Sequence, residues 1–524
     1  MSPRDSSATR GGARRRFPVP LASTPEGTGD RFSGRHATLP TSLLEVITAS
    51  GAKVVTEEGP RTDAARDWWP ISIGWAVHGQ VPARPAAVVE VGSAAQVAAT
   101  LAACTQASVP VTPFAGRSGV CGGSVPIFGG LALDCTGLGG PIDVDEDSLV
   151  ADVPAGIFGP DLEAALGAIG DGYTLGHWPQ SMDLSTVGGW LACRGAGQYS
   201  TRYGKIEDMV IGLEVVTADG RIVETEGRGP RAATGPSLTQ LFVGSEGTLG
   251  VITRARLRVH PRPSAEGRRA YGFSELAEGL DACRRVLRRG ATPAVLRLYD
   301  RTESERSFGR GGTCVLIVLD EADPKLLDAT LGIVDDECRT ARALDEGLVE
   351  QWLAHRNDVS ALGPLWQAGI VVDTIEVAAR WAALPTMATE VLQALEAVPG
   401  TLMASVHESH AYPDGACLYF TFAGRDPSSE PEERPQALQG SGETAWEERY
   451  YVQAWDAAIS AVERCGGAIS HHHGIGLNRG RFLSGALGSG FEVLVALKRA
   501  LDPQGILNPG KLGLPSDFGP PPWP

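Results

Sequence analysis

At 524 residues the chain is too long for one hydrophobic core; single cores stop growing at roughly 250–300 residues, so two or three packed units sharing an interface are expected. Its 43% hydrophobic and 21% charged residues are those of an ordinary folded globular protein. The 62 acidic against 46 basic residues, a formal net charge of -16, argue against a general nucleic-acid binder, which needs clustered Lys and Arg, and no apolar run reaches the about 20 residues of a membrane-spanning helix.

Residues 1–40, rich in Arg, Ser, Gly and Pro, read as a disordered basic tail with at most peripheral membrane contact. The Arg14-Arg15-Arg16 run lacks the apolar stretch of an export signal. Nine cysteines, an odd number without CxxC pairs, fit neither a disulfide framework nor a zinc site, so the expected location is cytoplasmic.

From about Pro82 short β-branched runs alternate with Ala-rich helical stretches. Residues 88–91 read as a strand, after which Ser93 caps an amphipathic helix through Val97 and Leu101 to Cys104. A strand at 109–113 then enters a Gly-rich loop. Strands at 131–134 and 148–153, a helix at 157–169, and strands at 210–216 and 221–224 around the turn Ala218-Asp219-Gly220 complete a first unit, 41–263, closed by Pro261 and Pro263. In the second unit, 264–514, helices at 276–289 and 324–341 alternate with strands at 294–298, 314–319, 370–375, 402–407 and 416–422, the pattern of an antiparallel sheet covered by helices. Residues 426–444 read as a mobile loop, 491–511 as a helix followed by Pro- and Gly-rich chain, and 515–524 as a Pro-rich tail. The fold class is α+β.

Three Gly-rich segments carry the chemistry of the first unit. The loop Pro113-Phe114-Ala115-Gly116-Arg117-Ser118-Gly119, continuing past Cys121, follows a strand and lets backbone N–H groups converge on an anion such as pyrophosphate; by itself such a Gly-rich stretch is more often a turn. Gln180-Ser181-Met182-Asp183-Leu184-Ser185-Thr186, with Cys193-Arg194-Gly195-Ala196, can line a planar ligand, with Arg194 offsetting its charge, or simply cap a helix starting near Ser185. Glu246-Gly247-Thr248-Leu249-Gly250-Val251-Ile252 is a glycine turn leading into a strand.

Ser185 to Trp190 (STVGGW), Tyr203 to Asp208 (YGKIED) and Gly244 to Thr253 (GSEGTLGVIT) resemble the FAD-binding family of vanillyl-alcohol-oxidase and p-cresol-methylhydroxylase type, and within it the alkyldihydroxyacetone-phosphate synthases and bacterial FAD-linked oxidases. The resemblance spans about Pro82 to Leu512. It implies a two-lobed FAD-binding domain followed by an antiparallel-sheet cap domain of FAD-linked oxidase type. It further implies that 113–119 hold the FAD pyrophosphate, that 180–186 and 193–196 line the flavin, and that 246–252 hold the adenine side. The pyrophosphate loop lacks a histidine, so FAD is expected to be non-covalent, although Cys121 leaves a link open.

For catalysis, Ser470-His471-His472-His473-Gly474 places three histidines on a turn, suited to proton transfer or anion binding. Consecutive side chains diverge, so three-fold metal ligation is disfavoured and no metal is expected. By alternation along a strand, His407 and Ser409 share one face and Glu408 and His410 the other. The resemblance assigns acid–base work to Tyr419 and activity to Arg297. His407, where the synthases carry an arginine, His410 and Arg356 are the substrate-binding candidates. Read from the residues alone, Tyr419 is a sheet-core tyrosine and Arg297 a salt-bridged strand residue.

The leading expectation is exchange of acyl for alkyl on a ketose phosphate in ether-lipid synthesis. The second is oxidation of a 2-hydroxy acid with Arg297 as carboxylate anchor. A third class is a non-catalytic flavoprotein or metal module. The expected partner is a small, lipid-derived substrate and no nucleic acid; the resemblance admits a homodimer.

Overall fold

A computed structural model describes residues 21, 24–32, 37, 39–227, 229–359, 361–428 and 446–524. The chain first builds a four-stranded sheet in the order Lys53–Val55, Ala87–Glu90, Leu131–Asp134, Val111–Phe114, in which the last three run parallel. The helix Ala94–Ala107 makes the crossover. The Ser93 side chain accepts from the Gln96 N–H at its start, and Ser108 closes it in the left-handed region at φ 51°.

A second lobe follows, a five-stranded antiparallel sheet ordered Ile222–Glu224, Val210–Val216, Val251–Arg258, Val150–Pro154, Asp143–Asp145. The two lobes share one core that includes Val89, Leu101, Leu133, Val153, Leu213 and Leu257.

The rest of the chain forms a seven-stranded antiparallel sheet ordered Arg342–Ala343, Ala265–Phe273, Cys314–Ala322, Val295–Tyr299, Thr401–Tyr412, Gly415–Gly424, Val371–Arg380. One face packs Val406, Leu418, Phe420 and Phe422 on helices that include Leu276–Arg288, Leu384–Glu396 and Trp446–Arg464. The opposite face, with Tyr299, Ile317 and Val315, meets Tyr199 of the first unit and Trp352 of the helix Gly347–His355. That second face carries the candidate site. The chain then returns to the first unit, where Val111 donates to Ile506 and Asn508 donates back to Val111, at 2.8 Å each.

Both ends depart from the expectation of loose tails. Residues 1–20, 22, 23, 33–36 and 38 lie outside the described residues, but Gly29–Asp30 pairs in parallel with Gln80–Val81. Arg31 forms a two-pronged ion pair with Glu448 at 2.8 Å. At the other end Trp523, only 7% exposed, sets its ring edge-on to Trp69 and Trp75; aromatic burial outweighs the Pro-rich composition around it. The loop expected at 426–444 lies, beyond Ser428, outside the described residues. Among the described residues no single helix is long and apolar enough to cross a membrane.

Candidate active site

Cross-strand register assembles the centre of the site. Tyr299 stands opposite His407, His407 opposite Tyr419, and Tyr419 opposite Glu376, one row across four adjacent strands. The rings of this row pack together: His407 lies 5.1 Å from Tyr299, tilted by 30°, and stacks on Tyr419 at 4.9 Å, centroid to centroid. The Tyr419 hydroxyl donates to Thr374 Oγ1 at 3.0 Å, and burial raises its pKa, so the phenol keeps its proton.

His410 corrects the alternation read from sequence. The register slips between Glu408 and His410, so Ser409 is an extra residue, a β-bulge, and the parity of the strand inverts beyond it. His407 and His410 therefore share the face that carries Tyr419, while Glu408 turns into the interior. His410 Nδ1 lies 2.8 Å from Ser200 Oγ, and its ring is 4.9 Å from each of His471 and His472.

The histidine turn is shaped by Glu376, fully buried beneath it. One carboxylate oxygen accepts from the Ser470 hydroxyl and from the N–H groups of His471, His472 and His473 at 2.7–3.1 Å. The other pairs with the buried Arg479 guanidinium and faces His473 Nδ1 at 3.3 Å. Burial opposes this charge, but Arg479 and His473 hold the Glu376 pKa well below the usual carboxylate range. Against the divergence expected of consecutive residues, His471 and His472 converge on His410, their Nδ1 atoms 2.9 Å apart, so that one nitrogen of each of the three lies within 4.8 Å of the others, the spacing of a candidate metal site; only His473 turns away, to Glu376. Burial brings His471 down to about 4, and burial with its histidine neighbours puts His472 well below the ordinary value, leaving both neutral proton acceptors near pH 7.

Beside the row opens a cavity of about 480 Å³ lined by residues that include Gln180, Arg297, Arg306, Arg356, His407 and Tyr419. Arg297 Nε and Arg356 Nη1 are buried with no hydrogen-bond partner among the described residues. Guanidinium donors left open beside a cavity can receive an anion. Arg356 leans on Tyr199 and Trp352, 5.2 and 5.5 Å from the ring centres, which orients it without neutralising it.

The loops read as cofactor-binding converge on the histidine turn. The loop around Gly116 abuts Leu184, Cys121 lies under Gly474 with its thiol 3.6 Å from that carbonyl, and Asn508 Nδ2 ties Gly123 to Glu246 at 2.8 Å each. Among the described residues the N–H groups of Gly116, Ser118 and Gly119 find no protein acceptor, which suits a pyrophosphate and makes these residues fit FAD. A side chain at Gly116 would collide with the Leu184 carbonyl. Gly116→Val is therefore expected to part the two loops and yield protein without flavin, checked by absorbance near 450 nm; full flavin occupancy would refute the assignment.

The expected cofactor segments also hold the scaffold together. Glu246 directs its carboxylate to the Ile475 and Gly476 N–H groups, at 2.6 and 2.8 Å, so its side chain braces the histidine turn; burial raises it to about 7 against those donors. Arg194, in the left-handed region at φ 56°, ends the helix Val187–Cys193 and pairs with Glu207 at 3.3 Å. Leu249, Val251 and Ile252 bury their side chains in the lobe's core. Of the other segments, Gln180 reaches the cavity, Met182 is core, and Cys193, Gly195 and Ala196 border the histidine turn or the core.

Sequence reading missed Glu303, Glu376, Arg479 and Ser200. Glu303 had a signal, because Asp300 and Glu303 form the start of the helix Arg301–Phe308, where the Asp300 side chain accepts from the Glu303 N–H at 2.7 Å. That pattern predicts a helix start, not a carboxylate buried beside His407.

Residues 85–226 match the family described as FAD binding domain, and 262–512 that described as FAD linked oxidases, C-terminal domain. Among curated relatives, the uncharacterized FAD-linked oxidoreductase YgcU of Escherichia coli (strain K12) is 30% identical over 82% of this chain and 89% of its own. The alkyldihydroxyacetonephosphate synthase of Dictyostelium discoideum is 28% identical over 83% of this chain and 74% of its own. A solved structure of an alkyldihydroxyacetonephosphate synthase superposes with a TM-score of 0.73 at 24% identity, covering 94% of this chain and 88% of that one, a likeness of fold.

Proposed function

The chain belongs to the FAD-linked oxidoreductases, an FAD binding domain joined to an FAD-linked oxidase C-terminal domain, and from that premise we propose that it exchanges the acyl group of an acylated ketose phosphate for an alkyl group, as in ether-lipid synthesis. The observation that carries the reading is the pair of open guanidinium groups, Arg297 and Arg356, in one cavity with Tyr419.

Bound FAD supplies an electrophilic ring that can hold the substrate carbon or accept its hydride. Arg297 and Arg356 bind the phosphate, fixing the reacting carbon near Tyr419 and His472, whose rings lie 6.1 Å apart. Neutral His472 takes the proton from that carbon and later restores it, and Tyr419, kept protonated by burial, gives its proton to the departing carboxylate and recovers one from the alcohol hydroxyl as the new C–O bond forms.

The test is anaerobic incubation of FAD-loaded enzyme with an acylated dihydroxyacetone phosphate and a long-chain alcohol. One fatty acid released per alkyl product, with no net flavin bleaching, is the expected result. A second reading, oxidation of a 2-hydroxy acid, is favoured by the neutral imidazoles of His471 and His472 close to an anion anchor. Bleaching by a 2-hydroxy acid without any exchange would replace the first reading with the second.

A further inference from the structure

We infer that His407 is a positioning residue for the anion subsite: Glu303 locks its imidazole in the one tautomer whose Nε2 accepts from Arg297, and that contact holds the guanidinium toward the cavity. The inference rests on the anion-binding reading above.

Both neighbours dictate the same proton placement. Glu303, 1% exposed, receives three donors on Oε1: Ser405 Oγ at 3.0 Å, Thr421 Oγ1 at 3.2 Å and Arg306 Nη2 at 2.9 Å. Its Oε2 faces His407 Nδ1 at 2.6 Å. Burial works against the carboxylate, but His407 and Arg306 pull it down to about 2, so it stays ionised and can only accept; Nδ1 must carry the proton. On the far side Arg297 Nη2 lies 2.5 Å from Nε2, and a guanidinium can only donate, so Nε2 must offer its lone pair. Packing between Tyr299 and Tyr419 keeps the ring from turning. Glu303, His407 and Arg297 thus form a chain of fixed polarity running from a buried carboxylate to an open cavity donor.

This polarity makes an isosteric change informative. In Glu303→Gln the three donors require the amide oxygen at the Oε1 position, which places the NH2 group against Nδ1. His407 must then accept there and carry its proton on Nε2, pointing an N–H at the guanidinium. No volume is lost, yet Arg297 is released.

The experiment titrates FAD-loaded wild-type protein, Glu303→Gln, His407→Leu and His407→Gln with inorganic phosphate, read by the change in flavin absorbance. Glu303→Gln and His407→Leu are expected to weaken phosphate binding about tenfold or more, the scale of one lost charge-assisted hydrogen bond. His407→Gln, whose carbonyl can still accept from Arg297, should stay within about threefold of wild type. Flavin content and melting temperature, measured on the same samples, separate these effects from misfolding. Wild-type affinity in Glu303→Gln, or equal loss in His407→Gln and His407→Leu, overturns the positioning role while leaving the anion site standing. Failure of the wild type to bind phosphate overturns both.

Discussion

Tyr419→Phe is expected to lower kcat by about 10²- to 10⁴-fold, the usual contribution of a positioned proton donor, while the bound-flavin spectrum stays unchanged. The substitution removes one oxygen from a half-buried ring on the cavity wall. What the ring does structurally, stacking on His407 and facing His472 and His473, survives in phenylalanine, and only the hydroxyl bonded to Thr374 is lost. Steady-state kinetics on the preferred substrate, paired with the flavin spectrum, checks this. Full retained activity would make Tyr419 the sheet-core residue that the residues alone suggest.

Glu376→Ala is expected to destabilise the protein by about 3–5 kcal/mol, as when one partner of a buried ion pair is removed. It strands the fully buried Arg479 charge and leaves the N–H groups of His471, His472 and His473 without their acceptor. Denaturant titration gives the magnitude. The pH dependence gives an independent check. Because the folded-state pKa is depressed, the carboxylate's stabilisation is fully present above the ordinary Glu value of about 4.5 and is lost as pH falls below it toward the folded pKa. The stability gap between wild type and Glu376→Gln should therefore narrow from pH 7 to pH 3. A gap constant across that range would mean that the charge is not what holds the turn.

Much of the scaffold was legible. Leu131–Asp134 and Val210–Val216 form as read because β-branched and apolar runs bounded by Gly and Pro specify buried strands. The helix Ala94–Ala107 begins where Ser93 can cap it. The helix Trp446–Arg464 went unread beside a polar stretch, although its buried face of Tyr450, Tyr451, Trp455 and Val462 follows helical spacing. The loops 113–119 and 180–186 announced themselves through glycine and hydroxyl content. The residues that hold the histidines were silent, because Glu376 and Glu303 lie 95 and 104 positions from the groups they meet, and nothing local marks a carboxylate as inward-facing. His410 was misplaced for a different reason: a bulge is invisible to a period-two reading, and one surplus residue reverses every side chain after it.

Glu246 sits in a cofactor-domain turn, yet its carboxylate is bonded to the turn that carries the histidines. Order in one turn is thereby tied to order in the other. A ligand that settles the 246–252 segment would also narrow the ensemble of the 471–476 backbone, and by reciprocity a ligand that freezes the histidines would raise the affinity for the first by the same factor. If FAD is that first ligand, the histidine turn is expected to exchange its amide hydrogens faster in apoprotein than in holoprotein, and a substrate analogue to slow flavin loss without touching the flavin.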